Sequence, residues 1–309
     1  MAKRRPRESR QQESAAAAAP AGWLREPATI ALLLMLAVVS LHLGDKLIGG
    51  GMGRAIGLGL ALVAIPFRAA LFSPWLWGAA MLLLGWCALG NAAAANHTYL
   101  LTYTALALTL PLRLPTREEA MDAAATSVRW LLVAVMTFAV VQKGLSADFR
   151  DGSYLSYLTL TGGVGQLAWE AGVAPETRRV LEENVRRDRQ FTPTSRTFER
   201  DQVALLNPFG KWLPLFVATF AVGILVAEAV LAVGFAWRPN AVWPHALLQA
   251  FGASLLLIRP ETVFIATLTA AGALSARRAD RRVLYGYVAL GCVAIVLTLA
   301  GMTSRLDGG

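Results

Sequence analysis

Charge is scarce in this chain. Only 16% of its 309 residues are Asp, Glu, Lys or Arg, against 56% hydrophobic. A water-soluble domain clothes its surface with about a quarter charged residues, so the composition excludes an ordinary soluble globule and leaves lipid to cover much of the exterior. Cysteine is scarcer still: Cys87 and Cys292 lie far apart, both inside apolar blocks. They form no disulfide framework and no metal spacing, and both read as small apolar packing residues. The three histidines, His42, His97 and His245, are too spread to suggest a metal site. No P-loop, dinucleotide glycine fingerprint, zinc-protease or serine-nucleophile motif stands in a suitable context, and no internal repeat is visible. Paired broken helices in two matching halves, the mark of many transporters, are also missing.

What the chain does have is a series of apolar blocks. Crossing about 30 Å of hydrocarbon takes about 20 apolar residues in a helix. That ruler gives spans near Ala28–Leu47, Ala55–Phe72, Pro74–Ala93, His97–Leu112, Ser127–Gln142, Trp212–Trp237, Pro244–Ile258, Pro260–Ala276 and Leu284–Met302. The predicted class is all-α, a polytopic transmembrane helix bundle of eight or nine spans. Pro66 is expected to kink the second span. Arg68, one turn later, is expected to face the bundle interior, because a guanidinium is costly against lipid.

Residues 1–22, basic, then polar, then an alanine tract, cannot bury a core and read as a disordered cytoplasmic tail. Residues 23–309 form the bundle. Arg4-Arg5 does not make an export signal, because the apolar stretch begins too late and no cleavage site follows; the first span reads as an uncleaved anchor. The net charge of +9 argues for orientation rather than nucleic acid, since the basic residues sit beside the spans and form no groove-sized patch. Lys3, Arg4, Arg5, Arg7 and Arg10 at one end, and Arg277, Arg278, Arg281 and Arg282 before the last span, are both expected on the cytoplasmic side of a bacterial inner membrane. Eight crossings between them make Ile258-Arg259-Pro260 a true hairpin and the total nine. Arg113 and Arg117 then also fall inside.

The same orientation puts the connection 144–211 on the outer face. It is dense in charge yet nearly neutral, with eight arginines against nine acidic residues. Pro175 to Arg189 has Glu and Arg three and four residues apart and predicts a solvated helix starting at Pro175. Ser153 to Trp169 shows no clear helical period and is expected to cover the bundle mouth or lie in the membrane interface.

Several polar residues stand out against this background. His97, after Asn96 at the outer end of the fourth span, exchanges protons near neutral pH, and a neighbouring carboxamide can hold one tautomer; the plainer reading is a polar helix start. Lys143 closes the fifth span where a helix meets water, as a base or anion partner, or simply as a snorkelling cation. Asp148 and Asp151 lie close enough in sequence to pair with it or with Arg150. Arg129 suits a lipid phosphate, an acidic side chain of the bundle, or a membrane anchor. Glu228, in the middle of the sixth span, costs at least about 2.5 kcal/mol there unless protonated or paired; Arg68 and Arg129 are the expected partners. His42 and His245 read as interface residues.

Two of these segments together resemble a known family. Asn96-His97-Thr98-Tyr99-Leu100-Leu101 resembles the Asn-His-x-Tyr-Leu motif of the vitamin K-dependent gamma-carboxylases and their wider membrane relatives, the HTTM domain proteins. Arg129, an apolar span, and then Lys143-Gly144-Leu145-x-Ala147-Asp148-Phe149-x-x-Gly152 resembles a second segment of those proteins, in the same order and spacing. The resemblance extends over about residues 27–275, and Glu228 has a counterpart in some members. It implies His97 and Lys143 as catalytic residues, with Asn96, Arg129, Asp148 and Glu228 in binding roles. It also implies chemistry in which a reduced quinone is oxidised by oxygen and the resulting base deprotonates a glutamate side chain. Lys143 matches the position before the family's base, which Gly144 occupies. The large soluble region of the carboxylases has no counterpart after the last span, so the resemblance is to the short members, some of which mature secreted peptides.

Two readings follow. The first is a short HTTM-type membrane protein with an outward-facing polar pocket, acting on a quinone, a lipid or a secreted peptide. The second is a non-catalytic membrane scaffold or accessory subunit that holds another membrane protein.

Overall fold

The computed structural model describes residues 26–89, 96–164, 174–191, 205–258, 261–276 and 279–302. The tail 1–22, the Arg259-Pro260 break, Arg277, Arg278 and the stretch 165–169 lie outside them. The described chain is helical, and among the described residues there is no strand. The α-helices in order are α1 Pro27–Leu47, α2 Gly50–Val63, α3 Pro74–Leu89, α4 Asn96–Thr109, α5 Arg117–Leu145, α6 Ala147–Arg150, α7 Ser153–Leu160, α8 Pro175–Phe191, α9 Trp212–Trp237, α10 Val242–Ile258, α11 Thr262–Ser275 and α12 Arg281–Leu299. Short 3-10 turns cover Arg68–Phe72 and Pro111–Arg113.

Among the described residues four helices are long and apolar enough to cross a membrane: α1, α5, α9 and α12, of 21, 29, 26 and 19 residues. Four shorter apolar helices, α2, α3, α10 and α11, pack with them. Helix α11 is the axis of the bundle. Ile265 to Leu274 are buried without interruption, and its neighbours are α1, α4, α5, α10 and α12. A helix that is apolar all round has no face to give to water. The outer helices behave differently: α9 leaves Leu215, Phe216, Val222, Val226, Val230 and Val233 exposed. Exposed tryptophans mark both ends of that helix, Trp212 and Trp237, about 37 Å apart by helix rise.

The second apolar block is not one helix. α2 stops at Val63, the chain turns through 64–67, and Arg68 lies exposed on the 3-10 turn. Pro66 ends the helix instead of kinking it, which removes Arg68 from any bundle-facing stripe. The expected inward orientation of Arg68 is therefore corrected. What fastens α2 is glycine. A Cβ on Gly53 would strike the Gly44 carbonyl, and one on Gly57 would strike the Ser40 carbonyl, so α1 and α2 meet backbone to backbone, as small residues allow. Arg54 pairs with Asp45 at 2.7 Å and donates to the Thr298 carbonyl at 3.0 Å, which fixes this hairpin to the end of α12.

α5 starts well before the apolar block, because Thr116 caps it by accepting from the Glu119 amide. Arg117 in its first turn pairs with Glu26 at 2.9 Å and lies over the Phe72 ring. α8 begins at Pro175, as the charge spacing predicts. Glu183 accepts from both Arg187 and Arg186, and the bond from Arg187 leads in holding its carboxyl below the usual range. Ser153–Leu160 is helical despite its weak period, since Leu155, Leu158 and Leu160 all find a buried surface on α9.

Candidate functional site

Lys143 donates its ammonium hydrogen bond to Glu228 Oε1. The pair joins the last turn of α5 to the interior of α9. Glu228 lies about 24 Å along α9 from Trp212 and about 13 Å from Trp237. Lys143, near the end of its span in the sequence, is thus paired at the level of mid-α9. Beyond it stands a separate apolar cluster, in which Phe149, Leu155, Leu158, Leu160 and Val164 pack on Leu213, Val217 and Ala221 of α9.

The segment after Lys143 is built to make that cover. Ser146 caps α6 by accepting from the Phe149 amide, and the Phe149 ring is buried with its centroid 5.9 Å from Lys143 Nζ. Gly152 then turns the chain with φ +79°, and a Cβ there would press into the Val217 side chain. Glycine fits on both grounds. Asp148 is exposed; its carbonyl accepts from Ser153 Oγ at 3.3 Å. The spacing of the second motif thus has a physical reading: a lysine aimed at α9, an aromatic beside it, and a glycine where the cover folds back.

The pair is asymmetric. The Lys143 side chain is 29% exposed and that of Glu228 only 5%. Glu228 Oε2 is buried with no hydrogen-bond partner. A carboxylate offers two oxygens and several lone pairs, so one face of this group is satisfied by the amine and the other is left to accept. Neither Arg68 nor Arg129 is its partner. Charge spacing alone could not reveal this, because Lys143 and Glu228 are 85 residues apart.

His97 belongs to a different group. Its ring meets that of His42 edge to face, centroids 5.1 Å apart, and His42 Nε2 lies 3.0 Å from Thr98 Oγ1. His42 is buried, not interfacial. Asn96 is exposed at the start of α4. Lys143 reaches Glu228 and Phe149, not His97. Helix length accounts for the separation: about 18 Å of α4 lies between His97 and Thr109, but about 39 Å of α5 lies between Arg117 and Lys143.

The third histidine is also buried. His245 Nε2 lies 3.0 Å from the Pro239 carbonyl and Nδ1 lies 3.0 Å from the Tyr287 hydroxyl. A carbonyl only accepts, so Nε2 carries the proton and the tyrosine donates to Nδ1. Sequence position near a helix end suggested an interface role for His245; the tertiary partners from Tyr287 and the α9–α10 turn were not visible there.

Arg129 lines a cavity of about 140 Å³ with Asp122, Thr126, Pro239, Asn240 and Ser275. Its Nε is buried without a partner, and its guanidinium stands 5.1 Å from the Trp130 ring centroid. This cavity lies about 21 Å from Lys143 along α5. Among the described residues no group of three or more His, Cys, Asp or Glu could hold a metal. Comparison with protein-family models, curated proteins and solved structures finds no match.

Proposed function

We propose that this chain is a multi-pass protein of the bacterial inner membrane, N-terminus cytoplasmic, of the HTTM or gamma-carboxylase-like class. We infer a site centred on Lys143 and Glu228 that takes a lipid-soluble quinone. The observation that carries this reading is the buried Glu228 carboxylate, with one oxygen held by Lys143 and the other unpartnered. A buried acceptor without a donor is costly, and a quinol hydroxyl arriving from the apolar phase supplies one. Lys143 orients the carboxyl group, and Phe149 and the α7 cover shield it from most water. His97, beside His42, faces the neighbouring helices as a second polar group of the same bundle. This reading takes the shorter apolar helices α2, α3, α10 and α11, together with α4, as short spans beside the four long ones, for eight or nine crossings.

The scaffold reading keeps one observation in its favour: His97 and Lys143 have separate partners and do not meet. The two readings separate on quinone binding. Purified protein in detergent is titrated with a short-chain menaquinone analogue while thermal unfolding is followed. The quinone reading expects a concentration-dependent rise in Tm that Lys143→Ala abolishes and that His97→Ala, outside the pair, retains. No rise in the unsubstituted protein leaves the scaffold reading.

A further inference from the structure

We infer that the Arg129 cavity, at the far end of α5 from Lys143, is a binding site for a phosphate group. The inference does not depend on the quinone reading. Three elements meet there: the first half of α5 through Asp122, Thr126 and Arg129, the α9–α10 turn through Pro239 and Asn240, and the end of α11 through Ser275. The turn is fixed from behind by His245, whose ring bonds the Pro239 carbonyl.

An arginine in such a place needs acceptors. The guanidinium has five N–H donors in a planar fork that matches phosphate. The buried carboxylate of the neighbouring helix α9 does not serve it, because Glu228 is taken by Lys143, and among the described residues no carboxylate forms an ion pair with Arg129. Its contact with Trp130 satisfies the π face of the ring but none of the N–H groups. The remaining walls offer the Thr126 hydroxyl and the Asn240 carboxamide as neutral donors suited to phosphate oxygens, while the Ser275 hydroxyl already donates to the Gly272 carbonyl. Asp122 on the same wall adds negative charge, which disfavours a bare inorganic phosphate and favours a phosphate ester.

Size narrows the ligand. A water needs about 10–15 Å³ of such volume, so 140 Å³ admits a group of roughly ten heavy atoms. A phosphoethanolamine or phosphoglycerol unit fits; a nucleotide needs the several hundred Å³ usual for larger ligands. Such a unit comes either from a phospholipid headgroup or from a free phosphate ester.

The test uses full-length protein in detergent, with Tm followed on adding phosphatidylethanolamine, phosphatidylglycerol, diacylglycerol, or soluble glycerol phosphate. Stabilisation by the phospholipids and not by diacylglycerol is expected. A response to glycerol phosphate alone identifies a free ester as the source, and a response to the lipids alone identifies the headgroup. Arg129→Met is expected to weaken the response about tenfold or more, with part of it restored in Arg129→Lys. Asn240→Ala, on the exposed turn, gives the same comparison should Arg129→Met not fold. Equal responses to diacylglycerol, or an unchanged response in both Arg129→Met and Asn240→Ala, would overturn the assignment.

Discussion

Glu228 takes its hydrogen bond from Lys143, 85 residues earlier in the chain, and so ties the end of α5 to the middle of α9. Removing one partner strands the other. Breaking a fully buried pair costs about 3–5 kcal/mol, and less is expected here because the lysine side chain is 29% exposed. Lys143→Met is expected to lower Tm in detergent, and Glu228→Leu to lower it less, since the freed ammonium can turn toward solvent. The double variant is expected to recover most of the loss. Additive losses in the double variant would show that the two side chains do not interact.

The α1–α2 hairpin makes a sharper stability prediction. A methyl group on Gly57 meets backbone, not a movable side chain. Overpacking of this kind costs about 1–3 kcal/mol, and a fixed carbonyl puts Gly57→Ala at the upper end. Gly59, with nothing near its Cβ direction, is the control: Gly59→Ala is expected to be neutral or slightly stabilising by helix propensity. Thermal unfolding of the two variants side by side checks this.

Tyr287 gives a third. Its ring lies where a Gly272 side chain would stand, and its hydroxyl holds His245. Tyr287→Phe removes one buried hydrogen bond and leaves the imidazole nitrogen unpaired, at a cost of about 1–3 kcal/mol. Gly272→Ala displaces the whole ring and is expected to be worse. Because His245 also fixes the α9–α10 turn, Tyr287→Phe should weaken the phospholipid response of the Arg129 cavity without touching it.

The orientation can be read directly. On a background of Cys87→Ala and Cys292→Ala, Glu182→Cys on α8 is expected to react with a membrane-impermeant maleimide in spheroplasts. Asn240→Cys in the α9–α10 turn is expected to react only after the membrane is opened. Labelling of both from outside would place the two ends of α9 on one side and remove the topology.

The sequence conveys some of this architecture and hides the rest for physical reasons. The bounds of α9 and the start of α8 are legible, because an apolar block ending in Trp and a Pro followed by spaced Glu and Arg are local signals. The fate of the second block is not. Pro66 and the glycines of α2 act through contacts with Ser40 and Gly44 on another helix. Glu228 announces itself as a buried carboxylate needing a partner, but the choice of Lys143 over Arg68 or Arg129 depends on how far α5 extends, which its polar first turns obscure. His42 and His245 read as interface residues because position near a helix end is all that a sequence displays. Their buried partners, Thr98 and Tyr287, come from α4 and α12.

The most direct test of the central claim is quinone titration of the double variant Lys143→Met, Glu228→Leu, since its fold is expected to stand while both polar groups are gone. A short-chain menaquinone analogue is expected to raise the Tm of the unsubstituted protein and to leave that of the double variant unchanged. An equal rise in both would contradict it, and would move any quinone site away from this pair.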